Sequence, residues 1–310
     1  MQSKIYPIAN FPNWKAACDA AHKWLRESGK ETTLLFEQNR NLGDTLHLTP
    51  IIRHYRLENP DAAIVFLVGR PYSGAHEFNP DIDKIFCVPV LKPKDRVALR
   101  KHIISFKDVT KVIAPSIFPY ADIWKELSWS YADIASQYFA NAEIEGIEPK
   151  GGRNLIVKIT DADRKWAKGF MKRHNLKRKT SCVLEYNSYS AQPVWRAPKF
   201  TKFVQHAKKH GIKCISIAGK KEKAIPGTID ATGISWRQSV ALFNEVGSFI
   251  GVGSGLTMLA ASADNSPNIL EIAVDDPVNM NGCGYATSIK ILNPDPVNVA
   301  DHLWFKVLNG

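Results

Sequence analysis

Asn39-Arg-Asn-Leu-Gly-Asp-Thr-Leu-His-Leu-Thr-Pro-Ile-Ile-Arg-His-Tyr-Arg-Leu57 is the stretch from which the fold can be read. Just before it, Thr32-Thr-Leu-Leu-Phe36 is a short apolar run with β-branched residues, the pattern of a buried strand. Within it, Leu46, Leu48, Ile51, Ile52 and Tyr55 recur at helical spacing, which predicts a helix from about Thr45. The polar residues between, with Gly43 among them, read as a tight glycine loop. Strand, loop and helix N-terminus in that order make the first turn of an open α/β sheet, whose ligands collect near the carboxyl ends of the strands. Asp44 stands where loop meets helix. Its carboxylate suits an N-cap worth about 1 kcal/mol, the commoner role for an isolated Gly-Asp. The alternative role is a general base facing a ligand cleft.

A chain of 310 residues has room for two domains, each with its own core. Hydrophobic content of 45% and charged content of 23% fall in the globular range. No apolar run approaches the ~20 residues of a membrane span. The start, Met-Gln-Ser-Lys-Ile-Tyr-Pro, lacks the pattern of a signal peptide, so a cytoplasmic location is expected. Cys18, Cys87, Cys182, Cys214 and Cys283 are odd in number and far apart, which fits reduced core residues better than a disulfide framework or a zinc site. The net charge of +11 favours a polyanionic partner: nucleic acid, an anionic membrane surface or a phosphorylated substrate. The dense run 172–179 reads first as a solvated helix end. No zinc finger, aromatic RNA-binding signature or basic zipper accompanies it, so nucleic acid is not expected as a partner. Peripheral contact with the inner face of the cytoplasmic membrane remains compatible with the charge.

A helix is expected over 12–28, with Pro12 in its first turn and Gly29 closing it. Strands are expected over 62–68, 85–89 and 111–114, so the first half alternates strand and helix around a parallel sheet. Residues 116–139 are rich in Phe, Tyr and Trp, and fit either a core helix or a platform for a sugar ring or lipid-linked acceptor. The glycines of 144–153 read as a linker, giving an N-terminal domain over 1–150 and a C-terminal domain over 151–310. The second half repeats the plan. After a connecting helix over 161–176 come strands at 181–185, within 211–219, at 248–252 and, last, at 268–272. Helices fall at 199–209, 238–246 and 297–308.

Gly253-Ser254-Gly255 is a second glycine loop opening a helix. Such a turn can present amide N–H groups to phosphate oxygens, although an ordinary strand-to-helix turn has the same composition. It is neither a Walker loop nor the full dinucleotide fingerprint. Asp161-Ala-Asp163 reads as a helix start and Asp81-Ile-Asp83 as part of a turn, so neither is a convincing metal-binding pair.

The sequence resembles the bacterial heptosyltransferase-type (ADP-heptose:lipopolysaccharide) glycosyltransferases, which have the GT-B fold, two Rossmann-like doubly wound domains facing across a cleft. Three features carry the resemblance: Leu42-Gly-Asp-Thr-Leu-His-Leu-Thr-Pro-Ile-Ile-Arg with Asn59-Pro-Asp-Ala; Trp195 and the helix start after it; and Phe249-Ile-Gly-Val-Gly-Ser-Gly-Leu-Thr-Met-Leu-Ala-Ala. The resemblance implies an inverting glycosyltransferase that moves heptose or a similar sugar from a nucleotide-sugar to a saccharide or glycolipid acceptor such as lipopolysaccharide core. It makes Asp44 the general base. Ser188, Tyr189, Ser254, Gly255 and Leu256 match the family's donor-phosphate positions, Glu222 its ribose-binding carboxylate and Ile234 the position beside the nucleobase. No metal or other cofactor is implied. Three positions depart from the family: Pro193 replaces a phosphate-binding lysine, Gly253 an aspartate and Met258 a histidine. Arg196, Lys220 or Lys221 could restore the lost positive charge. The departures keep open a non-catalytic nucleotide- or glycan-binding relative of the same fold. His47 is expected as a surface or capping histidine, with an acid–base contribution open to it.

Overall fold

The computed structural model describes residues 8–115, 142–144, 148–187, 195–273, 288–292 and 294–309. The expectations for 116–139, for Ser188, Tyr189 and Pro193 and for Cys283 fall outside them.

Two compact units divide the chain, Met1–Lys158 and Ile159–Gly310. The division falls eight residues beyond the expected 150/151 boundary because residues past the expected linker still pack on the first unit. Lys150 N donates to His54 Nδ1 and Ile156 N to Thr49 Oγ1, while Leu155, Ile156 and Val157 are buried.

In the first unit, the apolar runs become β1 Ala9–Asn10, β2 Thr33–Gln38, β3 Ala63–Gly69, β4 Lys84–Val88 and β5 Lys111–Ile113. Their order is β1-β4-β3-β2-β5, every pair parallel. Both β2 and β3 are buried along their whole length, as strands covered on two faces must be. Helix α1, Trp14–Glu27, lays Ala17, Cys18, Ala21 and Leu25 on one face of the sheet against Leu35, Val65, Leu67 and Phe86. Its N-cap is Asn13, whose side chain accepts from Ala16 N at 2.9 Å, so Pro12 lies before the helix rather than in its first turn. Gly29 follows it with φ +65°, where a side chain would be strained.

Helix α2 runs over Leu42–Glu58, three residues ahead of the expected start. Asn41, extended at φ −117° and ψ 165°, is its N-cap, and Gly43 is a helical residue rather than the pivot of a loop. The helix can begin this early because Asp44, at its third position, accepts the Asn41 N–H at 3.3 Å. A 3-10 helix, Arg70–Ala75, follows β3, and α3, Pro93–Ile104, follows β4. The Asp81 and Asp83 turn is structural: Arg53 Nε reaches Asp81 at 2.8 Å and Arg56 reaches Asp83 at 2.6 Å.

The second unit has β6 Ser181–Glu185, β7 Lys213–Ile217, β8 Ile229–Asp230, β9 Ser248–Gly251, β10 Asn268–Ala273 and β11 Ser288–Leu292. β10 is therefore not the last strand, since β11 pairs with it in parallel. The order β8-β7-β6-β9-β10-β11 is the doubly wound 3-2-1-4-5-6 arrangement. Its helices are α4 Asp161–Arg173, α5 Ala197–Lys209, α6 Trp236–Phe243, α7 Gly255–Ala261 and α8 Pro296–Asn309. Asp163 closes a capping box with Thr160 at the start of α4 and pairs with Arg237 at 3.2 Å, so that acid begins a helix as expected. The basic run ends in a structural tie: Arg178 donates to the carbonyls of Asn244, Asn265 and Ser266. Trp195 is fully buried against Phe200 and Phe203, and its indole N–H bonds Pro294 O at 3.2 Å. The four described cysteines are buried and free, as expected. Among the described residues no helix is long and apolar enough to cross a membrane.

Candidate functional site

In an open parallel sheet, strand order reverses where the chain changes direction of winding, and the loops on either side part to leave a crevice. The first unit reverses between β2 and β5, and the second between β6 and β9.

At the first reversal, the polar end of β2 turns into α2. Gln38 Nε2 spans the gap to Pro115 O at 3.1 Å. Glu37 is 1% exposed, and its carboxylate is held by Arg100 Nε at 3.2 Å and by the Asn39 amide. Burial pushes the Glu37 carboxyl above its ordinary value, and Arg100 opposes that. Asp44, nearly buried, sits in the first turn of α2. Its charge raises the Tyr72 phenol, behind burial, and acts on Arg96 together with Arg40, Glu37 and Arg100. The N-cap is therefore Asn41 rather than Asp44, and Asp44 closes the capping box from the third helical position. Arg96 Nε is buried without a hydrogen-bond partner among the described residues.

Helix α2 is fixed from beneath. Thr45 Oγ1 lies 2.9 Å from His76 Nε2, and both residues are fully buried. His47 is also buried rather than on the surface, and burial pushes its imidazole down to about 3, as it does that of His76. His47 is therefore a core residue of α2 rather than the surface or capping histidine the sequence suggests.

At the second reversal, Gly253 has φ +69°, which lets β9 turn sharply into α7. Ser254, the N-cap of α7, is fully engaged within the protein: its Oγ accepts from Leu256 N at 3.0 Å and donates to Glu185 Oε1. Leu256 and Met258 are buried, so their side chains serve the core. Gly255 opens the first turn and is half-buried.

Glu222 and Ile234, both half-buried, lie in the segments that follow β7 and β8. Gly233 N donates to Ala218 O at 2.9 Å and ties these two segments together. The Glu222 and Asp230 charges, after burial, push the Tyr186 phenol up to about 12, so Glu222 stands near the end of β6 as well. Arg196 is exposed and is the N-cap residue of α5. The described positions expected to meet a donor therefore lie in the segments that follow β6, β7, β8 and β9.

Sequence reasoning missed Glu185 and Glu271. Glu271 pairs in register with Gly251, whose other side is occupied by Glu185, so two buried carboxyl groups flank one glycine. Burial is the main reason the Glu185 carboxyl rises to about 7; the Glu271 charge adds to it, and the Ser254 hydroxyl and Val252 amide oppose it. The signal was present in the sequence as an acid after an apolar pair within a strand run: Leu-Phe-Glu37, Val-Leu-Glu185 and Ile-Leu-Glu271.

No protein-family model and no curated protein matches the sequence. Solved structures do match. A glycosyltransferase family 9 protein from Veillonella parvula superposes with a TM-score of 0.66 at 15% identity, over 90% of this chain and 96% of that one. ADP-heptose lps heptosyltransferase II of E. coli gives 0.61 at 11% identity, over 90% and 97%. E. coli heptosyltransferase WaaC with ADP gives 0.55 at 14% identity, over 89% and 100%. With two doubly wound parallel-sheet units in this order, the chain has the GT-B fold of those heptosyltransferases.

Proposed function

We propose that the chain is an inverting, metal-independent glycosyltransferase that moves a heptose-like sugar from a nucleotide-sugar to an anionic saccharide or glycolipid acceptor. The observation that carries this reading is Asp44 in the first turn of α2, beside the strand reversal of a GT-B first unit, where its charge acts on Arg96 together with those of Arg40 and Arg100. A carboxylate there can take the proton of an acceptor hydroxyl as that oxygen attacks the anomeric carbon. The arginines supply the charge an acidic acceptor needs. The loops after β6, β7, β8 and β9 hold the donor, with Glu222 toward the ribose and Ile234 toward the base. Ser188 and Tyr189 remain proposed phosphate contacts, and Gly253, Ser254 and Gly255 shape the turn that receives the diphosphate through its backbone.

The test is transfer by the wild type and by Asp44→Asn across a panel of nucleotide-sugars and acidic saccharide acceptors. Asparagine keeps an oxygen for the Asn41 N–H, so the helix start survives while the base is lost. Transfer should fall by about 10²- to 10⁴-fold with donor affinity unchanged. Unaltered transfer in Asp44→Asn would end the base assignment.

The engaged Ser254 hydroxyl, the buried Met258 side chain and the two acids under the donor turn favour a second reading, a nucleotide- or glycan-binding protein without transfer. Saturable donor binding with no transfer to any acceptor and no hydrolysis would establish it.

A further inference from the structure

We propose that His206, His210 and Asp301 form a surface site for one divalent transition-metal ion, which staples α8 to α5. His206 and His210 are one helical turn apart on α5, a spacing that sets both imidazoles on one face. Asp301 on α8 meets them. Each Nε2 lies 2.8 Å from Asp301 Oδ1, and the two nitrogens are 3.4 Å apart. Three atoms so placed approximate one face of a coordination tetrahedron, since zinc bonds of about 2.0–2.1 Å separate the ligand atoms by about 3.3 Å. Seating an ion above this triangle asks the two histidine–carboxylate edges to open by a few tenths of an ångström. Partly exposed side chains can do that, and the fourth position stays open to water.

The frame behind the ligands is rigid. Phe203, Val204 and Ala207 of α5 pack with Val299, Ala300 and Leu303 of α8 in one buried cluster. Lys202, one turn before His206, pairs with Asp295 at 3.0 Å and fixes the start of α8 alongside. Ligands carried on packed helices keep their geometry without the ion, which lowers the cost of binding it. The electrostatics agree. His210 is the C-cap residue of α5, where the carbonyl end of the helix favours a cation. Two imidazoles and one carboxylate suit Zn²⁺, Co²⁺, Ni²⁺ or Cu²⁺ and discriminate against Mg²⁺ and Ca²⁺, which prefer all-oxygen sets.

The place in the fold assigns a role. His210 precedes β7 by three residues, at the amino ends of the strands, whereas the donor loops leave the carboxyl ends. The ion therefore stabilises the closing helix and takes no part in sugar transfer.

The experiment is calorimetric titration of the untagged full-length protein with Ni²⁺ and with Zn²⁺ at pH 7.5, in parallel with Asp301→Asn and with a His206→Ala/His210→Ala double variant. The expected result is one ion per chain, at least tenfold weaker affinity in Asp301→Asn, no binding at the site in the double variant, and a metal-induced rise in Tm that both variants lose. Circular dichroism of the variants without metal checks that they are folded. Absence of binding to the wild type, or equal binding to wild type and double variant, overturns the proposal. So does a Co²⁺ spectrum with thiolate charge-transfer absorption, which would place the ion on cysteine.

Discussion

The Ser254 hydroxyl donates to the buried carboxyl of Glu185 across the boundary between β6 and β9, the point where the second sheet reverses its strand order. Glu185 Oε2 has no hydrogen-bond partner among the described residues, and the neighbouring Glu271 is 3% exposed. One hydrogen bond thus joins the turn between β9 and α7 to an acid that burial drives toward its neutral form.

That neutral form makes stability depend on pH. The Glu185 carboxyl ionises near 4.5 in a solvated chain and near 7 in the folded one. Below both values it is protonated in either state. Between them the unfolded chain releases its proton while the folded chain keeps it, so stability falls as pH rises, and it levels off above about 7. The separation corresponds to about 3 kcal/mol. Denaturant unfolding at pH 5 and pH 8 should show this loss in the wild type. Glu185→Gln, whose amide oxygen still accepts from Ser254, should lose less by roughly that amount.

Gly251 is the complementary prediction. A Cβ there would come within 2.6 Å of the Phe249 ring and 2.7 Å of Glu185 Oε2. Neither can move freely, since both are buried in the sheet. Gly251→Ala should cost about 1–3 kcal/mol by overpacking. Gly29→Ala is the control: nothing lies within 4 Å of its Cβ, so only the positive φ is penalised, at about 1 kcal/mol. A larger loss of unfolding free energy for Gly29→Ala than for Gly251→Ala would refute the packing argument.

The architecture was legible because short apolar runs such as Ala63–Gly69, β-branched and bounded by turn residues, read as strands buried on both faces. Local chemistry was harder to see. The start of α2 was placed too late because Gly43 resembles a loop residue, and only the Asp44 side chain on Asn41 N–H lets the helix begin at Leu42. β1 and β8 have two residues each, and β1 is held by its parallel pairing to β4, which no local pattern records. His47 looked like a surface residue because its burial depends on what packs over α2. Glu37, Arg96 and Arg100 lie up to 63 residues apart, and only the sheet brings them together.

The Glu37–Arg100 pair is such a product of topology. Glu37 is 1% exposed and Arg100 about a quarter exposed, so removing the guanidinium leaves a carboxylate with no access to water. Arg100→Met should destabilise the first unit by about 3–5 kcal/mol. Glu37→Gln combined with Arg100→Met should recover much of that loss, because the stranded charge is gone. A double-mutant cycle by chemical denaturation measures the coupling; additive losses would show that the pair is not coupled.

The last prediction joins the Glu185 proton to the proposed donor. A diphosphate received at the Gly253–Ser254 turn would lie over Glu185 and Glu271, and an ionised Glu185 would repel it. Below about pH 7 the Glu185 carboxyl is neutral, and the turn carries one negative charge fewer. Donor affinity should therefore weaken as pH rises from 6 to 8.5, by up to about tenfold, the effect of one charge partly screened in a half-open loop. The nucleotide's own phosphate titrates in part of this range, so the reference is Glu185→Gln, in which that contribution is unchanged. Calorimetric titration with nucleoside diphosphates should give a steeper pH dependence in the wild type than in Glu185→Gln. Parallel curves would separate Glu185 from the donor and reduce it to a structural acid.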